Sequence, residues 1–254
     1  MIEVKNLHKG FNGEKILKGI TTSFERGKTN LIIGTSGSGK TVFLKCLLGL
    51  FTPEEGSICY DGKTYSDLGS KEQRDLREQM GMVFQGSALF DSMTVEENVM
   101  FPLMMFSKQS KSEMLDRVHQ VIDRVHLENA NKKLPSEISG GMQKRVAIAR
   151  AIVTRPKYLF CDEPNSGLDP RTAIVIDNLI KEITEENDIT TVINTHDMNS
   201  VMEIGEKIIF LQKGHLEWEG NKDQIFLTDN KAVTDFVYSS NLFKKVRDAQ
   251  IKGL

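Results

Sequence analysis

The stretch Gly34-Thr35-Ser36-Gly37-Ser38-Gly39-Lys40-Thr41 matches G-x-x-x-x-G-K-[ST] in full. Glycines at that spacing let the backbone close around a phosphate with its N–H groups turned inwards. The helix that follows adds its positive end, Lys40 reaches the β- and γ-phosphates, and the Thr41 hydroxyl suits Mg²⁺. Further along, Tyr158-Leu159-Phe160-Cys161-Asp162-Glu163 reads as a buried strand ending in two carboxylates. There Asp162 can hold Mg²⁺ through its water shell, while Glu163 can polarise an attacking water. A chance match in a surface turn is the competing explanation for the loop, and its placement between a buried strand and a helix argues against that.

The loop leaves several classes of nucleotide hydrolase open. A guanine reader of the form Asn-Lys-x-Asp is missing, since Asn221-Lys222-Asp223-Gln224 has its aspartate one place early. The more telling segment is Ile138-Ser139-Gly140-Gly141-Met142-Gln143, which opens a helix just upstream of the acidic strand. Two glycines at a helix start let a phosphate approach the backbone, and Ser139 adds a hydroxyl. An N-cap role accounts for Ser139. The second glycine, which costs about 1 kcal/mol inside a helix, asks for a further reason.

These residues need a scaffold, and the patterning predicts one. Ile2-Glu3-Val4, Ile20 to Phe24 and Ser57 to Tyr60 read as strands, the last closing at the turn Asp61-Gly62. Thr29 to Ile33 is an apolar run fit for a strand buried on both faces, and 42–50 is the helix after the phosphate loop. The stretch 85–154 reads as helical, with Val118, Val121, Ile122 and Val125 at helix spacing behind Ser112-x-x-Leu115, and a second helix from Gln143 to Val153. Strands return at Lys157 to Cys161 and Thr190 to Asn194, with a helix from Arg171 to Glu185 between them. The section 223–254 reads as a helical tail. The sum is an α/β core with an inserted helical subdomain.

Composition bounds the partners. The chain has 254 residues, 39% hydrophobic and 27% charged, enough apolar material for one substantial core. With 33 Lys and Arg against 35 Asp and Glu, no global basic field exists to hold a nucleic acid. Cys46, Cys59 and Cys161 form no CxxC pair, which suits a reducing compartment. No run approaches the ~20 apolar residues of a spanning helix, and Met1-Ile2-Glu3-Val4 begins without a signal-peptide core. Membrane work would therefore pass through a partner.

In the order of its motifs the chain resembles the nucleotide-binding subunit of an ABC transporter, over roughly residues 1–220. The resemblance implies an α/β P-loop NTPase fold of the ABC ATPase type. It divides the chain into a RecA-like core with an antiparallel β subdomain (1–84 and 155–222), a helical signature subdomain (85–154) and a tail (223–254). It assigns Phe11 to adenine stacking, Gly34 to Thr41 to the triphosphate, and Gln85 to the loop that links the metal and water to the helical part. Ser139, Gly140 and Gly141 become the signature that contacts ATP across a dimer. Glu163 is the hydrolytic carboxylate, with Thr41, Gln85 and Asp162 around Mg²⁺. Asp169 belongs to the loop Ser166-Gly167-Leu168-Asp169, and His196 is the γ-phosphate switch. Ile138, Met142, Gly167 and Phe11 depart from the family's usual Leu, Gln, Ala and Tyr. Met142 removes an amide; the others are minor.

A narrower stretch, from Phe84-Gln85-Gly86-Ser87 through Asn98 to Phe101-Pro102, is similar to Mla-type ATPases of phospholipid transport, and Met142 fits that group. The expected partners are a second copy, an integral-membrane permease seated in the groove by Gln85, and envelope lipid-binding subunits. That places the chain at the cytoplasmic face of the inner membrane, with no nucleic acid bound. ATPases of amino-acid import or lipoprotein release are the nearest alternatives, and a soluble ABC ATPase outside transport is more distant. Three features stay open. His119 and His126, seven apart, read as surface or interface residues rather than metal ligands. Met93, Met100, Met104 and Met105 serve either the core or a docking groove. Val233, Phe236, Val237, Ser240 and Phe243, beside Lys244, Lys245 and Arg247, read first as a helix packed on the parent domain, next as a dimer contact and last as a membrane-surface helix.

Overall fold

The computed structural model describes residues 1–238. Its strands in chain order are β1 (Ile2–Phe11), β2 (Glu14–Phe24), β3 (Thr29–Ile33), β4 (Glu55–Tyr60), β5 (Lys63–Thr64), β6 (Met80–Val83), β7 (Tyr158–Asp162), β8 (Thr190–Thr195), β9 (Lys207–Gln212) and β10 (His215–Gly220). Four of them build an antiparallel sheet in the order β2-β1-β4-β5. The other six run β10-β9-β3-β8-β7-β6, all parallel except β10, which returns as a hairpin on β9. The helices are α1 (Lys40–Leu47), α2 (Ser70–Arg77), α3 (Val95–Phe106), α4 (Lys111–Arg124), α5 (Gly140–Ile152), α6 (Pro170–Glu186), α7 (Met198–Ile204) and α8 (Lys231–Val237).

The parallel sheet is apolar on both faces, and its strands divide by residue parity. Leu31, Ile33, Leu159, Cys161, Ile193, Ile208 and Phe210 join the core shared with α3 to α7. Ile32, Phe160, Val192, Ile209 and Leu211 point the other way, into the core of α1 and the antiparallel sheet. The strand ends at Ile33, Asp162 and Thr195 thus meet along one edge, between two fixed layers. All three cysteines are buried and unpaired.

Several boundaries differ from the sequence reading, each for a local reason. The first helix begins at Lys40, not 42, because Gly39 takes a left-handed φ of 104° and serves as its N-cap. Lys40 and Thr41 therefore stand in its first turn. The cap of α4 is Ser110, whose hydroxyl accepts from Glu113 N–H while the Glu113 carboxylate returns to Ser110. Residues 85–94 are loop rather than helix: Asn98, fully buried on α3, donates to the Phe90, Met93 and Thr94 carbonyls and holds that loop open. In the tail, 223–227 is turn, 228–230 is irregular and α8 spans only Lys231–Val237. Val233 and Val237 are fully buried there, and the Phe236 ring lies 5.2 Å from that of Phe210, so this part packs on the parent fold. Ser240, Phe243, Lys244, Lys245 and Arg247 lie outside the described residues. The sequence reading missed β6, β9, β10, α2 and α7; β6, α2 and α7 are short, whereas β9 carries an apolar run, Ile208 to Leu211, comparable to that of β3.

Candidate functional site: a phosphate cleft and an acidic strand end

The cleft forms where β3 gives way to α1. Gly34 is required there by space, since a Cβ would lie 2.2 Å from the Leu211 carbonyl oxygen. The Ser38 hydroxyl is buried without a hydrogen-bond partner among the described residues. Lys40 Nζ donates to the Gly34 and Thr35 carbonyls at 2.8 and 3.1 Å. Burial disfavours its charged form and lowers its pKa, against the opposing pull of Glu163 and Asp162. An orphaned hydroxyl, a lysine resting on carbonyls and a helix start fit a chain of phosphates. Thr35, Ser36, Gly37, Ser38, Gly39, Lys40 and Thr41 line a cleft of about 1050 Å³ with Gln85, Glu163 and His196.

At the end of β7 the two carboxylates part. Asp162 Oδ1 accepts from Asn194 Nδ2 at 3.1 Å and lies 3.5 Å from Thr41 Oγ1. This pair of hard oxygens suits Mg²⁺, which keeps much of its shell on water and substrate phosphate. Among the described residues no three His, Cys, Asp or Glu side chains gather into a metal nest, so a cation here would need substrate oxygens. Glu163 adopts a left-handed backbone, φ 47°, rare for this residue type and secured by its N–H to the Asn194 carbonyl. The two carboxylates take different partners. Glu163 Oε1 accepts from His196 Nδ1 at 2.9 Å, and Oε2 accepts from Gln85 Nε2 at 3.0 Å.

The loop carrying Gln85 is held from α5. Lys144, 5% exposed, donates to the Gln85 carbonyl. Arg150 donates to the Ser87 and Ala88 carbonyls, both at 2.7 Å. Ser87 and Ala88 are both left-handed, and burial lowers the pKa of each cation. The sequence reading missed Lys144 and Arg150. Two basic residues among the small apolar residues of a buried helix were the available signal.

The remaining predicted residues lie outside the cleft of their own chain. Ser139 caps α5, accepting from Met142 N–H at 3.3 Å. Gly141 has a structural reason after all: a Cβ there would meet Thr172 Cγ2 at 2.8 Å. Gly140 has none, since the nearest atom to its Cβ would be Leu168 Cδ2 at 3.9 Å. Asp169 caps α6 and accepts from the Arg171 and Thr172 amides, and hydrogen bonds from Thr172 hold its carboxyl below its ordinary value. Phe11 is 40% exposed, edge-on to Phe51, with Lys9 Nζ 4.9 Å from its ring centre. Ile16 lines the cleft instead, as do Gln212 and, from α8, Ala232, Asp235 and Phe236. None of these had been read as part of a site.

A second hollow, about 270 Å³, opens beside the Gln85 loop and is lined by Met80, Met82, Phe84, Phe90, Phe101 and Phe106, among others. Met104 and Met105 at its side are 63% and 57% exposed, while Met100 is buried, so the methionines divide between surface and core. His119 pairs with Glu96 at 3.2 Å. No helix among the described residues is long and apolar enough to cross a membrane.

With that geometry in view, the relatives are informative. The ABC transporter family matches residues 17–166. The chain is 39% identical over 236 residues to the probable ribonucleotide transport ATP-binding protein mkl of Mycobacterium leprae, covering 93% of this chain and 68% of that one. It is 40% identical over 227 residues to the methionine import ATP-binding protein MetN of Clostridium tetani, covering 89% and 71%. The dimeric bacterial cassette MJ0796 superposes with a TM-score of 0.79 at 34% identity, over 87% of this chain and 99% of its own. A second structure of MJ0796 is a post-hydrolysis state with ADP and Pi. The chain therefore belongs to the ABC transporter ATP-binding family, with the cassette fold and the ATP-hydrolysing activity of that family.

Proposed function

We propose that two copies of this chain clasp MgATP head to tail and power a separate permease that moves phospholipid between membranes of the cell envelope. The observation that carries the two-copy reading is Gly140, a helix-start glycine where a Cβ would make only an ordinary 3.9 Å contact with Leu168 Cδ2, so that nothing in the described fold requires it. A partner's triphosphate supplies the reason. Ser139 and Gly141 stand beside it, so one chain would offer the phosphate loop and the other the serine–glycine turn. The core 1–84 with 155–222 would hold nucleotide, and 85–154 would carry the turn and the Gln85 groove to the permease; the tail begins at 223.

In this reading Lys40 exchanges two backbone carbonyls for the β- and γ-phosphate oxygens. Thr41, Asp162 and Gln85 would hold Mg²⁺, which neutralises charge on those oxygens. Glu163 orients the water and takes its proton, while His196 fixes the Glu163 carboxylate and contacts the γ-phosphate. Phe11 would supply an aromatic face for adenine, and Asp169 sits at the start of α6 where the second copy would land. The apolar hollow at Phe84, Phe90 and Phe106 suits a permease helix at the inner membrane.

The phospholipid assignment rests on the stretch from Phe84 to Pro102 and on Met142, and envelope lipid-binding subunits rest on it in turn. Import of a small solute is the second reading, favoured by the printed names of mkl and MetN. Copurification with the permease into phospholipid nanodiscs, followed by ATPase assay, separates the two. Stimulation that follows phospholipid composition is expected. Stimulation by methionine or a ribonucleotide alone would reject the lipid assignment.

A further inference from the structure

Asp177 stands on the apolar face of α6 with Ala173, Ile176 and Ile180, and only 2% of it is exposed. Its carboxylate accepts from Asn165 Nδ2 at 3.2 and 3.4 Å, and the neighbouring Ser200 hydroxyl favours its charged form. Asn165 Nδ2 also donates to Ser200 Oγ at 2.7 Å. All three side chains are buried. Asn165 lies two residues beyond Glu163, and Ser200 lies four beyond His196 on α7. The knot therefore fastens both sides of the 2.9 Å Glu163–His196 contact to one point on α6.

A carboxylate is a poor filling for this space on stability grounds alone. Burial raises its pKa to about 6, and Asp197, the N-cap of α7, and Glu203 within it push the same way by like charge. An asparagine has the same size and avoids that penalty. What the amide does not reproduce is an acceptor on both oxygens, each of which here faces Asn165 Nδ2.

We propose that Asp177 is a positioning residue, which through Asn165 and Ser200 sets the spacing of Glu163 and His196 for water attack. This rests on the reading of those two as the hydrolytic pair. Misplacement of reacting groups by about 1 Å lowers rates by up to about 100-fold, so small shifts at this knot are enough to matter.

The test is Asp177→Asn in the full chain. A kcat lower by about 10- to 100-fold is expected, with the KM for ATP within about twofold and a Tm at pH 7.5 no lower than that of the unaltered chain. The exchanged pair Asn165→Asp with Asp177→Asn restores one carboxylate facing one amide and should recover most of kcat. Ser200→Ala, which removes one arm of the knot, should give an intermediate loss. Unchanged kcat in Asp177→Asn overturns the proposal, as does a loss that tracks a fallen Tm and is not recovered by the exchange. Glu163→Gln is assayed alongside. Normal turnover there sinks the hydrolytic reading itself, whereas a slow Glu163→Gln beside a normal Asp177→Asn sinks only the role of Asp177.

Discussion

The phosphate cleft and the serine–glycine turn are built to different degrees of completion. Around Lys40 the chain assembles its own site: strand ends, an orphaned Ser38 hydroxyl, and a glutamate that already touches His196 and Gln85. At Ser139-Gly140-Gly141 it assembles a helix start and nothing more. Ser139 caps, Gly141 gives Thr172 room, and Gly140 answers to nothing within 3.9 Å. One half of the machine is explained by its own fold. In the other, Gly140 alone has no reason in the described fold, and the proposed second copy would supply one.

Five substitutions break or sharpen that contrast. The largest effect is expected for Ser139→Arg, which should reduce ATPase activity to background while ATP still binds the chain carrying it, as checked by equilibrium dialysis. Unchanged turnover would mean the turn never reaches a triphosphate. Glu163→Gln should retain ATP yet turn over at least about 100-fold more slowly, the scale of a lost general base; a single-turnover assay reads this directly. Lys144→Met leaves the Gln85 carbonyl without its cation and should cost kcat about tenfold, within the range for a displaced positioning group, with little change in ATP affinity.

The two glycines give the finest contrast. Gly141→Ala forces a methyl against Thr172 and should lower Tm. Gly140→Ala has room and gains helix propensity, up to about 1 kcal/mol, so Tm should hold or rise while turnover falls. A Gly140→Ala chain with full activity would leave that glycine without any explanation.

A slower experiment concerns pH. The carboxyl of Asp177 sits at about 6 in the fold against 3.8 unfolded, so the native state binds its proton more tightly. Stability from this group is complete below pH 3.8 and fades as pH rises through 6, about 3 kcal/mol at most. Asp177→Asn removes the dependence. Its Tm relative to the unaltered chain should therefore be more favourable at pH 7.5 than at pH 5, and the opposite trend would mean the carboxylate is stabilised rather than strained by burial.

Legibility in the sequence followed distance along the chain. The phosphate loop, the strand ending in Asp162-Glu163 and the segment at Ser139 are contiguous, and their residue types carry local reasons, so they stand out unaided. β3 was readable because every residue in it is apolar or small enough to be buried on both faces. What escaped depends on contacts between remote positions. Lys144 and Arg150 matter because α5 lies against a loop some sixty residues earlier. The left-handed turn at Glu163 has no sequence signature at all. Asp177 did leave a trace, an acid at the i+4 position of an otherwise apolar helix face, and that pattern is worth pursuing in other chains.

The central claim is that bond cleavage needs two chains. Specific ATPase activity measured against chain concentration, with solution mass followed in parallel, tests it most directly. Activity per chain should climb with concentration, and Glu163→Gln should double in mass on adding MgATP but not MgADP. Constant activity per chain at the mass of a single copy would contradict the account.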